Sequence, residues 1–239
     1  QANESIDYYL EDVKQLPELL YNSNQVIEVL RKDTYQNKSS LLQDRFIVNS
    51  YLTRTYINGE SDVLGAFILS KNRLFESSKI PYSGFGEDML PFGQDLELKG
   101  KQSFLLPSQV PLTFEGNPPY ILLMRQITDT ENRMNLGTMF IAVDLSFMSN
   151  IVENLETVNH ADLSLLSEEG QIIYHTDAEK IGLMEEEFQK YPVINGSFRT
   201  TGEKENTLIS ISRSGPDGWV LLHSVLLKNL TERTDLVRN

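Results

Sequence analysis

Up to about residue 56 the apolar residues of this chain recur at helical spacing, and from Val63 onward they come in short runs broken by turn-forming residues. Ile6, Leu10, Val13, Leu20, Ile27 and Leu30 follow one another at intervals that place them on one helix face. Pro17 stands inside that pattern. It lacks a backbone N–H and its ring crowds the preceding turn, so the helix must kink or split there. A second helix is expected over 39–56, with Leu41, Val48 and Leu52 along one side and Leu42, Phe46, Asn49 and Thr53 along another. Asn58-Gly59 stops it. Helices followed by hairpin-linked strands make an α+β chain with antiparallel sheets.

Residues 63–70 and 73–77 read as a hairpin about Lys71-Asn72, and 120–128 and 136–145 as a second about the polar segment 129–135. Between them, 81–119 is rich in proline, glycine and aromatics and too long for a plain connection, so it is expected to hold short strands and binding loops. A helix is expected over 146–157. Strand patterns resume at Ala161, turn at Ser167-Glu168-Glu169-Gly170, and return over 171–175. Further strands are expected at 198–201, 207–212 and 219–227, and a helical pattern resumes over 228–239. The organisation read from this is a helical stalk over 1–58, a lobe over 59–145, a second lobe over 146–227 opened by a linking helix at 146–158, and an exit helix over 228–239. Both ends fall in helical patterns, and the chain is expected to be a piece of a longer protein.

Composition removes several function classes. The net charge is −13, and no cluster of Lys or Arg offers a footprint for nucleic acid. An anionic membrane face would repel the same surface. With no cysteine there is no disulfide, no thiolate nucleophile and no Cys-based zinc site. His160, His175 and His223 lie far apart without metal-ligand spacing, and the acidic run at 185–187 lacks the alternation of a calcium loop, so no metal is expected. The nucleophile elbow, the phosphate loop and the dinucleotide fingerprint are all missing, so the segment is expected to be no enzyme and to need no cofactor. Nor is there a run of about 18 apolar residues that could span a membrane.

A few residues could carry recognition. Arg125 lies among large apolar residues. Facing a pocket, its fixed fork of donors would clamp a carboxylate or sugar hydroxyls; facing water, it is an ordinary sheet-surface arginine. Tyr82, Phe85, Phe92 and Tyr120 would either line a pocket or pack the 81–119 loops onto the sheet. Asp144 closes a strand just before a helix, as a pocket acceptor or as a helix cap.

The stretch from Asp162 to Gly182, a strand, a glycine turn and a second strand running into a His/Asp loop that ends in Ile-Gly, resembles the signature of Cache domains, which are extracellular PAS-like sensors. Gly65 to Phe75 and Gly137 to Leu145 carry the matching pattern in the first half. In order and spacing the whole resembles a double-Cache module, most like the ectodomain of YesM-type sensor histidine kinases. The resemblance implies a long N-terminal helix followed by two PAS-like lobes, placed outside the cell membrane between two membrane helices, with a kinase inside the cell. It implies a small polar ligand in the membrane-distal lobe, roughly residues 60–145, where Arg125, Tyr82, Phe85, Tyr120 and Asp144 are the residues expected to hold it. A sugar or oligosaccharide is the expected ligand, because YesM-type members are associated with carbohydrate utilisation. Amino-acid-sensing members carry Arg-x-Trp-Tyr on a pocket strand, where this chain has Arg125-Gln126-Ile127-Thr128 and its one tryptophan, Trp219, lies in the other half. The exit helix would relay the change, and the long apolar face of the N-terminal helices would support a homodimer. A chemoreceptor ectodomain, or a domain that senses a partner protein or the cell envelope without a small ligand, are the alternative readings.

Overall fold

The computed structural model describes residues 2–86, 102–150, 161–191, 196–201, 206–213 and 218–226. Phe92, His160, most of the expected linking helix and the expected exit helix lie outside them. The N-terminal helix is split, as Pro17 requires. Helix α1 (Ala2–Gln15) gives way to a 3-10 segment (Leu16–Asn22), and α2 (Asn24–Arg31) follows with the Ser23 side chain accepting from the Val26 N–H at its start. Ile6, Leu10, Val13, Leu20, Ile27 and Leu30 are all buried, so that apolar stripe belongs to the chain's own core. Helix α3 (Lys38–Tyr56) is capped by Asn37, which accepts from the Ser40 N–H. It buries Val48, Leu52 and Tyr56 and leaves Leu42 and Phe46 exposed.

A helix broken at proline leaves carbonyls without their usual donors. Tyrosines supply them. The Tyr56 hydroxyl donates to the Leu16 carbonyl at 2.9 Å and the Tyr51 hydroxyl to the Leu19 carbonyl. Tyr21, within the 3-10 segment, donates to the Thr128 carbonyl at 2.9 Å and accepts from the Thr128 N–H.

The strands are β1 (Val63–Ser70), β2 (Arg73–Ser78), β3 (Tyr82–Ser83), β4 (Gln102–Leu105), β5 (Thr113–Phe114), β6 (Tyr120–Thr128), β7 (Asn135–Asp144), β8 (Ala161–Leu166), β9 (Ile172–His175), β10 (Gly196–Thr201), β11 (Asn206–Arg213) and β12 (Val220–Leu226). They form two five-stranded sheets, ordered β2-β1-β7-β6-β4 and β10-β11-β12-β8-β9, with β3 and β5 as a separate pair. All pairings are antiparallel. The two sheets share one connectivity. In each, the first strand lies between the second and the last, and the third takes the far edge. The chain divides accordingly into two compact units, one of residues 11–145 and one of residues 1–10 with 146–239.

In the unit of residues 11–145 the end of α2 is fastened to two turns of its sheet. Lys71, in the β1–β2 turn, donates to the Leu30 carbonyl at 2.9 Å, where a helix C-terminus favours a cation. Arg31 donates twice to Asp129, at 2.7 and 3.0 Å, and so holds the β6–β7 turn. Asp129 also accepts from the Glu131 N–H. The two Arg31 donors, and then that backbone donor, hold the Asp129 carboxyl below the usual carboxylate range. A depressed carboxylate adds stability above its unfolded value of about 3.9 and loses it as pH falls through the lower folded value. Asp129→Asn should therefore melt below the native chain by a margin that is constant above about pH 5 and shrinks steadily below about pH 4. Thermal melts of both proteins across that range check it.

Candidate ligand-binding face

Alternation along a strand sends successive side chains to opposite faces of the sheet, and directly paired residues on neighbouring strands share a face. On β6, Tyr120, Leu122 and Met124 point one way, paired with Asp144, Ala142 and Phe140 of β7. Phe140 in turn pairs with Phe67 of β1. These residues, Asp144 excepted, pack with Phe85, Leu105, Val110, Leu112 and Phe114 into one buried cluster, with Tyr82 half-buried against it. The rings meet in sequence. Tyr120 and Phe114 are edge-on with centroids 5.3 Å apart, Phe67 and Tyr82 edge-on at 5.0 Å, Phe67 and Phe85 tilted at 4.9 Å, and Phe85 and Phe140 edge-on at 5.1 Å. Edge-to-face contacts of this kind add about 0.5–1.5 kcal/mol each beyond the area they bury.

A short roof built on β3 and β5 covers this face. Tyr82 pairs with Phe114 and Ser83 with Thr113, whose hydroxyls lie 2.9 Å apart. The Tyr120 hydroxyl donates to the Leu112 carbonyl and ties the roof to the sheet. Gly84 has φ +84, and a Cβ there would stand 1.7 Å from the Pro111 carbonyl oxygen. Only glycine permits that approach. Burial pushes the phenols of Tyr120 and Tyr82 up to about 12, helped at Tyr82 by Glu76, so both remain neutral donors at physiological pH.

The five expected site residues divide. Tyr82, Phe85 and Tyr120 come together in the cluster, and Asp144 shares their face through its pairing with Tyr120, half-buried at the end of β7. Arg125 points to the opposite face, where its guanidinium donates to Glu18 of the 3-10 segment. Phe67, Phe114 and Phe140 were not singled out from the sequence. Phe67 and Phe140 sit inside runs that are apolar throughout, and Phe114 lies in a stretch without periodicity, so only strand pairing reveals their common face. His175 accepts from the Asp177 N–H through Nδ1 at 2.9 Å and serves its turn. Among the described residues no group of three or more His, Asp or Glu could hold a metal ion, and no helix is long and apolar enough to cross a membrane.

The corresponding face of the other sheet is filled differently. Leu166, Ile172, Ile209, Ile211, Val220 and Leu222 are packed by Phe188 and Tyr191. Gly170 lets Phe188 come so close that a Cβ would stand 2.5 Å from its ring.

No family model matches the chain, and no curated protein matches it. Solved structures do. The ligand-binding domain of the Pseudomonas aeruginosa amino acid chemoreceptor PctC, in complex with GABA, is 12% identical with a TM-score of 0.62, and the match covers 94% of each chain. That of the Pseudomonas fluorescens chemoreceptor CtaA, in complex with L-alanine, is 13% identical with a TM-score of 0.60, covering 94% of this chain and 92% of the other. The extracellular domain of vpHK1S-Z8, a protein assigned as a histidine kinase, is 13% identical with a TM-score of 0.57, covering 98% of this chain and 90% of the other. The chain has the fold of Cache-type ligand-binding domains. The likeness is one of fold, with no preference for the YesM type.

Gly84→Ala tests the roof. A methyl group forced against the Pro111 carbonyl in a left-handed backbone should cost about 2 kcal/mol and lower the melting temperature by several degrees. Thermal melting measures the loss, and near-ultraviolet circular dichroism should show weakened packing of the ring cluster.

Proposed function

We propose that this chain is the extracellular ligand-binding domain of a bacterial transmembrane signalling receptor, and that it takes a small polar ligand carrying an amine on the aromatic face of β1, β6 and β7. The observation that carries this reading is the placement of Asp144 on the same face as Tyr120, Tyr82 and Phe85, beside a cluster of rings. A carboxylate accepts from an ammonium group, and ring faces attract the same cation. The domains of PctC and CtaA share the fold and hold GABA and L-alanine, both amine-bearing. Arg125 lies on the far face, so the described residues offer no arginine clamp for the carboxylate of such a ligand. Sugar binding is the second reading, favoured by the density of rings and the half-buried Tyr82 on which a sugar could stack. The proposed role of the domain is binding, with catalysis left to the rest of the receptor. The resemblance to YesM-type sensors makes a histidine kinase the proposed output and a chemoreceptor the alternative, and autophosphorylation of the full-length receptor in membranes separates the two.

A thermal-shift screen against GABA, L-alanine, short diamines and neutral oligosaccharides tests the ligand class. At 100 times its dissociation constant a ligand adds about 2.7 kcal/mol, a shift of several degrees in a chain of this size. Asp144→Asn should weaken an amine ligand roughly 10- to 100-fold, the worth of a charge-assisted hydrogen bond. Binding of an oligosaccharide that survives Asp144→Asn but is lost in Tyr82→Ala would replace the amine reading by the sugar reading. A flat response throughout would favour a protein or cell-envelope partner and remove the face from consideration.

A further inference from the structure

Strand β6 is held on the side away from the aromatic face, at two points with matching spacing. Arg125 donates to Glu18, and three residues on, the Thr128 backbone both donates to and accepts from the Tyr21 hydroxyl. Glu18 and Tyr21 are themselves three residues apart on the 3-10 segment that follows the break at Pro17. The strand that presents Tyr120, Leu122 and Met124 to the candidate ligand is thus the strand that grips the helix break. Arg125 also has a second acceptor within reach. Gln102 of β4 is its direct cross-strand partner, so the two side chains share a face with Cβ atoms about 5 Å apart. The Gln102 side-chain oxygen is buried and has no hydrogen-bond partner. An unpartnered buried acceptor beside a long donor costs free energy that a small movement would recover.

We propose that Arg125 is a two-position latch. In the arrangement described it holds Glu18, and a displacement of β6 from its aromatic side transfers it to Gln102 and releases the helix break. This deepens the sensing reading and rests on it, since it assigns the route by which occupancy of the face would reach the N-terminal helix. A ligand can shift such a latch only by favouring one position over the other. Arg125 is here a positioning residue that touches no ligand.

The test needs no ligand, so its outcome is separable from that of the binding screen. Amide hydrogen exchange of residues 18–22 is measured against that of β1, which reports opening of the whole unit. Met124→Ala perturbs β6 from the aromatic side and should speed exchange at 18–22 about tenfold relative to β1. Adding Gln102→Leu removes the second acceptor and should reduce that rise to less than about twofold, whereas a purely structural ion pair would be indifferent to residue 102. Glu18→Gln alone should reproduce the fast exchange without any change on the aromatic face. If Met124→Ala does not fold, Tyr120→Phe supplies a milder perturbation of the same strand through the loss of its bond to the Leu112 carbonyl. No rise at 18–22 in either variant, or an equal rise with and without Gln102→Leu, overturns the proposal.

Discussion

Everything in the unit of residues 11–145 depends on β6 being buried on both sides. A strand in that position cannot show the alternation of apolar and polar residues seen at a half-exposed sheet, and Tyr120 to Met124 is apolar without a break. One side is committed to the ring cluster and the roof of β3 and β5, the other to the helical layer. The polar atoms that intrude are therefore few, and an unsatisfied one is costly. The Tyr120 hydroxyl reaches the Leu112 carbonyl on one side, and Arg125 reaches Glu18 on the other. A movement that disturbs one side has only the rigid strand between it and the other.

The break at Pro17 follows from the same economy of partners. An uninterrupted helix would satisfy its own backbone and need nothing from the sheet. Once the helix is split, the Leu16 and Leu19 carbonyls are answered from α3 by Tyr56 and Tyr51, and Tyr21 turns to the end of β6. The 3-10 segment at the break is consequently the place where α3 and β6 exchange hydrogen bonds with the N-terminal helical stretch. Tertiary hydrogen bonds of this sort are individually modest, about 1 kcal/mol net. They can yield without unfolding the unit, as the proposed latch requires.

Much of this was legible in the sequence because period and turn chemistry are local. The stripe from Ile6 to Leu30 is buried, Pro17 splits the helix, and the hairpins turn at Lys71-Asn72, both in left-handed backbone, and at 129–135. The side of α3 carrying Val48 and Leu52 was separable in the sequence, but only the structure distinguishes it from the Leu42 and Phe46 side, since both carry large apolar residues. What stayed hidden depends on pairing. Nothing local to Arg125 states whether it faces the rings or the helices, because the residues before it are large and apolar on both faces of the strand and a polar residue, Gln126, follows it on the other face. Its partner Glu18 lies 107 positions away, in the 3-10 segment after the helix break. The ring cluster is likewise assembled from β1, β3, β5, β6 and β7, five segments brought together by register alone.

The two units make the same point at a larger scale. Their sheets share one connectivity, yet their corresponding faces have different contents. In one, two tyrosines and a terminal aspartate join a ring cluster under a roof; in the other, aliphatic side chains are sealed by Phe188, admitted by the absence of a side chain at Gly170. A fold fixes where a pocket can open, and the side chains decide whether one does and what it recognises. Identity of 12–13% to the domains of PctC and CtaA is enough to preserve the first and says nothing of the second. The chemistry must be read from the residues themselves, and the proposed amine ligand rests on a carboxylate, two neutral phenols and the quadrupoles of several rings on one face rather than on the fold.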